Sequence, residues 1–215
     1  LDNDSSVDFI VHSNQPNATK ILNLSANINK NATLNFYTIN ISGELIKNNY
    51  YFSLNNKNSA CNFNGIGLLN KKKHIDNYIE INHNEKHTSS NLNFNNILND
   101  YSKGIFYAKT VINKQCSQSE ASQSNKNMLL SKSSSMQSNP QLIINNDDVQ
   151  CSHGSTTGEI DSDALFYMQS RGIKIDQAKK MLINSFLSNL ISEIKNKEIL
   201  KMINNQKKRF VELDI

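Results

Sequence analysis

"IDNYIEINH", residues 75–83, alternates apolar and polar residues and decides the fold class of this chain. In an extended conformation Ile79, Ile81 and His83 lie on one face, with Glu80 and Asn82 on the other. Similar short runs, separated by Asn, Ser and Gly, occur at 7–11, 19–28, 32–41, 50–54, 104–112, 127–131 and 141–145. No helical periodicity interrupts them, so residues 7 to about 160 are predicted to be all-β.

The turn residues favour one β architecture over the others. Two prolines and seven glycines in 215 residues are few for tight hairpins. A parallel β-helix needs few hairpins, because its coils turn on polar corners where Asn and Ser side chains can stack in ladders. No strict repeat period is evident. The Asn-rich turns therefore favour a solenoid over a sandwich or a barrel.

After residue 160 the pattern becomes helical. "DSDALFYMQSRG", residues 161–172, has Asp161 or Ser162 as a predicted N-cap and Gly172 as a C′ residue. Asp176 is predicted to cap a second helix over 177–194, and a third follows over 198–211. Apolar stripes support both: Ala178, Met181, Leu182, Phe186, Leu190 and Ile194, then Ile199, Leu200, Met202, Ile203, Phe210 and Val211.

These patterns predict two domains. A mainly β solenoid is expected over 1–160, and a small α-helical C-terminal domain over 161–215. The helices are expected to cap one end of the β body or to form a docking face. Because the chain starts at Leu1 rather than Met, we also expect it to be a fragment or an incomplete gene product.

Composition excludes several classes of partner. The net charge of +4 comes from 23 basic and 19 acidic residues, scattered except at 71–73 and 207–209, which we interpret as solvated loops. The sequence contains no stripe of basic residues, so it gives no indication of nucleic-acid binding. No apolar run is long enough to span a bilayer, and no secretory signal is evident. The odd, widely spaced Cys61, Cys116 and Cys151 argue against a disulfide framework and indicate a reducing compartment.

The chain lacks the motifs of common enzymes and of resident cofactors. There is no phosphate-binding loop with its lysine, no dinucleotide-binding glycine pattern, no nucleophile elbow and no repeated Cys-x-x-Cys. "GSTTGE", residues 154–159, resembles a phosphate cradle but has no lysine. We therefore predict a protein that is not an enzyme and holds no resident cofactor.

The densest cluster of reactive residue types is "DDVQCSHGSTTGEID", residues 147–161. In an extended segment Cys151 and His153 emerge on the same face, where a thiolate and an imidazole can together hold iron or a sulfur-bridged species. Two ligands are incomplete, so a partner chain would supply the rest. Asp147 and Asp148 are expected on opposite faces of a strand, which favours a turn-forming role over catalysis.

The remaining candidates are interpreted as structural. Glu159 and Asp161 precede the first helix, where negative charge is favourable. His83 and His87 have metal-ligand spacing only in a helix, and their segment is predicted to be strand and loop. Cys61 and Cys116 are expected to pack or to face solvent, because neither has a ligand partner nearby in sequence.

A longer run carries a family resemblance. "QLIINNDDVQCSHGSTTGEIDSDALFYMQSRGI", residues 141–173, resembles the C-terminal signature of the SufD family, scaffold components of SUF iron–sulfur cluster assembly. Residues 118–131 and 75–91 resemble earlier coils of that family, so nearly all of 65–195 is covered. The paralogous SufB family has a Glu-rich stretch instead of Cys-Ser-His-Gly, and its assembly cysteine lies in an upstream coil, as Cys116 does here. A SufB-like chain is the alternative.

The resemblance implies a right-handed parallel β-helix that pairs edge to edge with SufB, and C-terminal helices that dock on the ATPase SufC. It implies that the helical N-terminal part of a complete member is absent here. The family's functional histidine falls on His153, at the interface where a nascent cluster forms. We expect His153 and Cys151 at this interface, with His153 a transient metal ligand for iron or an iron–sulfur cluster. The expected SufC-binding residues are Leu165, Phe166, Arg171 and Gly172.

Two further classes stay open. A β-helical surface-binding or carbohydrate-active protein would display clustered acids and stacked aromatics, and the sequence indicates neither. A purely structural paralogue would keep the fold and the SufC-docking helices without cluster chemistry. We expect a location in the cytoplasm of a bacterium, an endosymbiont included, or alternatively in a plastid or apicoplast.

Overall fold

The chain folds as a parallel β-solenoid followed by helices. The structure, a computed structural model, describes residues 1–14, 17–192 and 194–213. Its strands are β1 (Ser6–Asn14), β2 (Thr19–Ile28), β3 (Thr33–Ser42), β4 (Leu45–Leu54), β5 (Ala60–Leu69), β6 (His74–His83), β7 (Ser89–Leu98), β8 (Lys103–Ile112), β9 (Ser119–Leu129), β10 (Ser135–Ile144) and β11 (Val149–Glu159). They make about five turns, which confirms the predicted solenoid, while its right-handedness stays a prediction.

The strands alternate between two sheets. The odd-numbered strands form a six-stranded sheet in the order β1-β3-β5-β7-β9-β11, and the even-numbered strands a five-stranded sheet in the order β2-β4-β6-β8-β10. Every pairing is parallel. Thr19 pairs with Leu45, whereas Lys103 pairs with Ser135, so a late coil contains more residues than an early one. This change in coil length, absorbed by the turns, explains why the sequence shows no strict period.

Three strands, β5, β7 and β11, were not predicted from the sequence. Both faces of the C-terminal half of β5 are buried, so its apolar and polar residues do not alternate, and it contains Gly65 and Gly67. The same half of β7 is buried on both faces but contains Asn95 and Asn96. Tertiary packing therefore overrides weak strand propensity in these segments.

Polar corners join the strands, as predicted. The turn before each of five odd-numbered strands contains one residue with positive φ: Asp4, Asn31, Asn58, His87 and Gln118. Asn and Asp tolerate this conformation better than most residues. The corners are also bonded to each other, because Asn31 Nδ2 donates to Asp4 Oδ1 (2.7 Å) and Asn58 Nδ2 to Asn31 Oδ1 (2.9 Å). The predicted asparagine ladders are therefore confirmed.

The interior of the solenoid holds a cluster of aromatic rings, including Phe36, Tyr50, Phe52, Phe63, Phe94 and Phe106, all 0% exposed. Phe63 is at the centre, with ring centroids 4.9 Å from Phe36 and 5.4 Å from Tyr50. Burial of each such side chain contributes about 1.5–3 kcal/mol. This aromatic column is the main core of the middle coils.

Three helices follow: α1 (Ser162–Ser170), α2 (Ile175–Ser192) and α3 (Lys197–Leu213). The predicted ends of α1 are confirmed, because Asp161 Oδ1 accepts from the N–H groups of Asp163 and Ala164 (2.9 Å each) and Gly172 has φ +83°. The predicted cap of α2 is wrong. Asp176 lies inside the first turn of α2, where the helix dipole still stabilises a carboxylate.

The apolar face of α2 also differs from the predicted stripe. Ile183 and Leu187 are buried together with Ala178 and Leu190, whereas Met181 is 47% exposed. Several apolar residues occupy both sides of this helix, so the periodicity alone could not select the side that faces the sheet.

Helices α2 and α3 pack on the outer face of the six-stranded sheet. Outward side chains of β3, β5 and β7, including Ile39, Ile66 and Ile97, form one apolar cluster with Leu187 and Ile203. The expectation that the helices cap an end of the β body is therefore wrong, because they cover the side of the solenoid. The change from strand to helix falls near residue 160 as predicted, and the division into separate domains stays a prediction.

Two further predictions are resolved by position. Residues 207–209 lie on α3 and not in a loop, whereas Lys71 and Lys72 lie in the turn before β6. Among the described residues no helix is long and apolar enough to cross a membrane.

Candidate functional site

The last coil of the solenoid leaves an open end. Within the described residues β11 pairs only with β9, and β10 only with β8, so both are edge strands. Every residue of β11 from Ser152 to Glu159 is exposed. An exposed edge strand presents unpaired backbone N–H and C=O groups to any further strand. The "CSHG" segment, residues 151–154, therefore lies in an extended edge strand, which is the conformation that the expected placement of Cys151 and His153 on one face requires.

Cys151 and His153 lie on the same face of β11. Cys151 pairs with Ala121 of β9 and His153 with Gln123. Ala121 and Gln123 are 3% and 4% exposed and belong to the inward-facing row of β9, so both β11 residues continue that row at the open end. The two predicted metal-ligand side chains, Cys151 and His153, therefore lie side by side on the inward face of β11, at the open end of the solenoid.

The two donors do not complete a metal site by themselves. Within the described residues no group of three or more His, Cys, Asp or Glu side chains could hold a metal ion. Burial raises the pKa of the Cys151 thiol, and a hydrogen bond from the backbone of Ala121 opposes this effect only in part. The thiol is thus protonated near neutral pH and must release its proton before it binds a metal.

The other two cysteines are buried. Burial raises the pKa of Cys61 to about 12, so this thiol is an inert core group. Cys116 is 0% exposed and its Sγ donates to the backbone oxygen of His83 (3.1 Å). Ile112 and Ala121 enclose Cys116, and Cys151 packs against the same cluster. Of the two roles expected for these residues, packing is the one that the structure supports for both.

His83 is structural and not a ligand. Its Nδ1 lies 2.7 Å from Thr88 Oγ1 and its Nε2 lies 2.8 Å from Ser90 Oγ. Burial lowers the pKa of His83 to about 4, so the ring is neutral at neutral pH. His87 is exposed in the following turn with φ +57°. The two histidines therefore share no site.

Sequence reasoning missed a polar network at the open end. Ser138 Oγ donates to Asn125 Oδ1 (2.7 Å), Ser155 Oγ to Ser138 Oγ (2.7 Å), and Asn127 Nδ2 to Thr157 Oγ1 (3.1 Å). These inward-facing residues belong to β9, β10 and β11. The only signal in the sequence is that "SEASQSNKNML", residues 119–129, has polar residues at inward positions, which a pattern of apolar alternation does not reveal.

The two aspartates before β11 are placed differently from the prediction. Asp147 and Asp148 lie in a bend, not on a strand, and border the same cleft of about 230 Å³ together with Glu120. Their expected separation onto opposite faces is therefore wrong. Their turn-forming role is supported, because the N–H of Asp148 donates to Asn146 Oδ1 (2.8 Å). Asp161 caps α1 as expected, and Glu159 ends β11.

A second exposed surface lies on α1 and the start of α2. Phe166 is 74% exposed and Tyr167 59%, and no residue of α1 is buried. The Arg171 guanidinium lies 5.3 Å from the centre of the Tyr167 ring. Leu165 is half-buried and Gly172 forms the C′ turn. On α2 the side chains of Ile175 and Met181 are 44% and 47% exposed, so exposed apolar residues also occur outside the predicted set.

The structure also contains stacked aromatics, which were not expected. Tyr51, Tyr78 and Tyr107 form a row on the outer face of the five-stranded sheet, and the last two rings lie 5.1 Å apart at 7°. The rings of Tyr78 and Tyr107 stack face to face, whereas the Tyr51 ring is tilted and 42% exposed. Tyr78 donates to Glu80 Oε2 (2.6 Å), and this bond is the main cause of the lowered Glu80 pKa. The row joins β4, β6 and β8 of neighbouring coils.

Comparisons with known proteins identify the family of this chain. Residues 1–186 match the family model described as "SUF system FeS cluster assembly, SufBD core domain". The chain is 27% identical over 174 residues to "Iron-sulfur cluster assembly protein SufD" of Escherichia coli, covering 81% of this chain and 41% of that protein. It is 35% identical over 106 residues to "Protein ABCI7, chloroplastic" of Arabidopsis thaliana, covering 49% and 22%.

A third relative is "Iron-sulfur cluster assembly protein SufD" of Bacillus subtilis, 29% identical over 107 residues, with 50% of this chain and 24% of that protein covered. The chain thus spans less than half the length of these curated relatives. The resemblance to SufD, and not only to the wider family, is supported by two relatives of that name.

Proposed function

Because the chain belongs to the SUF system family defined by the SufBD core domain, we propose that it is a SufD-type scaffold subunit that pairs with SufB and binds the SufC ATPase. Its role lies in iron–sulfur cluster assembly. The relatives are named as assembly proteins and not as catalysts, which supports a scaffold without its own reaction. The SufB-like alternative has less support, since two of the three relatives reported above are named SufD.

One observation carries the pairing with SufB. β11 is an exposed edge strand that presents Cys151 and His153 on one face at the open end of the solenoid. A strand of SufB placed beside it would pair with the free backbone groups and bring further ligands over these two side chains. This arrangement fits a donor set that is incomplete on one chain.

Iron or an iron–sulfur cluster is the cargo of this site. An imidazole and a thiolate are both suitable ligands for iron. His153 acts as a transient ligand or proton carrier, and Cys151 joins it once its thiol is deprotonated. Because the thiol pKa is raised, a neighbouring positive charge on the partner or the iron itself would favour proton loss.

The exposed surface of α1 and α2 supports the SufC interaction. Phe166 and Tyr167 on α1 and Met181 on α2 are exposed apolar side chains of the kind that contact a partner protein. Helix α1 also contains Leu165, and it ends at Arg171 and Gly172. SufC supplies ATP hydrolysis, and the resulting movement opens or closes the site at β11.

Co-purification tests the proposal. The chain is expressed with SufB and SufC of the same organism and isolated anaerobically, as wild type and as His153→Ala. We expect the variant complex to form but to lose its cluster absorbance. His87→Asn is the matched control, because it removes an exposed imidazole at a positive-φ position that Asn tolerates, and it should keep the cluster.

Three results would contradict the proposal. If His153→Ala keeps the cluster, the chain is a structural subunit without cluster chemistry. If wild type binds neither partner, the assignment as a SufD-type scaffold fails. If Phe166→Ser leaves SufC binding unchanged, α1 is not the docking surface. For location we propose a bacterial cytoplasm, with a plastid as the alternative, since relatives come from bacteria and a chloroplast.

A further inference from the structure

Gln123 lies directly beneath His153 in the solenoid. The two residues pair between the parallel strands β9 and β11. Neighbouring strands are about 4.8 Å apart, and paired residues of parallel strands point to the same face. Gln123 is 4% exposed and His153 is exposed. A buried glutamine therefore lies next to the exposed histidine on the same face of the sheet.

The amide of Gln123 has one allowed orientation. Its Nε2 donates to Thr110 Oγ1 (2.6 Å) and to the backbone oxygen of Gln141 (3.1 Å). A carbonyl oxygen only accepts, so exchanging the amide nitrogen and oxygen would place two acceptors against each other. Both N–H groups of the amide are thus committed, and Oε1 is held in the remaining direction.

Oε1 of Gln123 is a buried acceptor without a donor. Among the described residues it has no hydrogen-bond partner. An unsatisfied buried acceptor costs about 1–3 kcal/mol. On the same inward face Ser155 is already bonded to Ser138. The His153 imidazole has no hydrogen bond to the residues that the structure describes, and the ring carries at least one N–H in each protonation state.

Resting on the function proposed above, we propose that Gln123 is the positioning residue of His153. Rotation of the exposed imidazole lets one ring N–H donate to Gln123 Oε1. The bond selects one neutral tautomer, so the opposite ring nitrogen keeps its lone pair and is presented to iron or to a proton from the partner side. Metal-binding histidines generally donate their other N–H to such an acceptor, which fixes the ring and its tautomer.

Nitrogen NMR of the isolated chain tests the positioning step. The tautomer ratio of His153 is measured at a pH where the ring is neutral, with His153→Ala to assign the signals. We expect one dominant tautomer in wild type and the mixture of free histidine in Gln123→Met, which keeps the volume but removes the acceptor. Gln141→Met is the matched control, because it removes only the outward bond to Tyr107 (2.6 Å) and leaves the backbone oxygen in place.

The same variants are then carried into the complex with SufB and SufC. Loss of an outer-shell partner typically lowers metal affinity about 10–100-fold, so at iron that half-saturates wild type the cluster content of Gln123→Met should fall about 5–50-fold, with Gln141→Met unchanged. Circular dichroism and urea unfolding establish that each variant folds. If Gln123→Met does not fold, the tautomer ratio of His153 in the wild-type chain tests the inference. A wild-type ratio equal to that of free histidine would overturn it.

The two proposals fail in different ways. If His153→Ala loses the cluster while Gln123→Met changes neither tautomer nor cluster, the positioning role is wrong and the proposed function stands. If Gln123→Met releases the tautomer while His153→Ala keeps a full cluster, Gln123 positions a histidine that has no part in assembly, and the proposed function is wrong.

Discussion

Asn127 and Thr157 are joined by a hydrogen bond of 3.1 Å inside the solenoid, and this bond ties the last strand to the coil beneath it. Asn127 Nδ2 also donates to Asn125 Oδ1 (2.7 Å), and its own Oδ1 accepts from Asn96 Nδ2 (2.8 Å). A single buried amide thus connects three consecutive odd-numbered strands.

We expect Asn127→Leu to destabilise the chain by about 2–3 kcal/mol, because it leaves buried partners of the amide unsatisfied. Urea unfolding followed by circular dichroism measures the change. Asn139→Leu, at an exposed position of β10, is the control and should change stability by less than about 0.5 kcal/mol. Equal effects of both variants would show that the interior amide does not join the coils.

The aromatic column predicts a larger loss at its centre than at its end. Phe63→Ala should cost about 3–5 kcal/mol, because the ring is 0% exposed and packs against four other rings. Phe9→Ala removes the same atoms from a ring that is 44% exposed at the other end of the solenoid, so its cost should be much smaller. Urea unfolding measures how much each variant lowers the free energy of unfolding relative to wild type. Similar losses for Phe63→Ala and Phe9→Ala would contradict the prediction.

Gly67 is required by the close approach of a side chain. A Cβ added there would lie 2.2 Å from Asn96 Oδ1 in the interior. Gly67→Ala should therefore destabilise by about 1–3 kcal/mol, the usual range for overpacking. Gly158→Ala, where an added Cβ meets nothing within 4 Å, should be neutral within about 0.5 kcal/mol. Thermal unfolding of the two variants measures these changes in stability. If Gly67→Ala is as stable as wild type, the Asn96 side chain moves aside without cost and the prediction is wrong.

His83 makes the stability depend on pH. Its pKa is lowered from 6.5 to about 4 by burial, so between these values the unfolded chain binds a proton that the folded chain does not. Stability is then full above pH 6.5 and falls as the pH falls towards 4, with a loss on the order of 3 kcal/mol.

The measurement is urea unfolding at pH 7 and pH 4.5 for wild type and His83→Gln. The variant keeps a polar side chain near Thr88 and Ser90 but cannot titrate, so it should lose about 2–3 kcal/mol less than wild type between the two pH values. Carboxylates such as Glu80 contribute equally to both proteins and cancel in the difference. An identical pH dependence of the two proteins would remove His83 as the cause.

Local signals in the sequence were sufficient for most secondary structure. The alternation at 75–83 and 19–28 and the capping residues Asp161 and Gly172 all act over a few neighbouring residues, and the structure confirms them. The proximity of Cys151 and His153 also follows from local geometry, because residues two apart in a strand share a face. Gln123 had no such signal, since a whole coil of the chain separates it from His153 in sequence.

By itself, therefore, the sequence determined the β-solenoid class, the Asn corners, the two ends of α1 and the placement of a thiol and an imidazole on one strand face, all of which depend on local conformation. Only the tertiary structure decided which side of the solenoid the helices cover, which coil is left open and which buried amide lies beneath His153. Each of these depends on pairing between strands that lie a whole coil apart in sequence. The turns set that spacing by their length, and nothing in a single turn specifies which residues become neighbours across it.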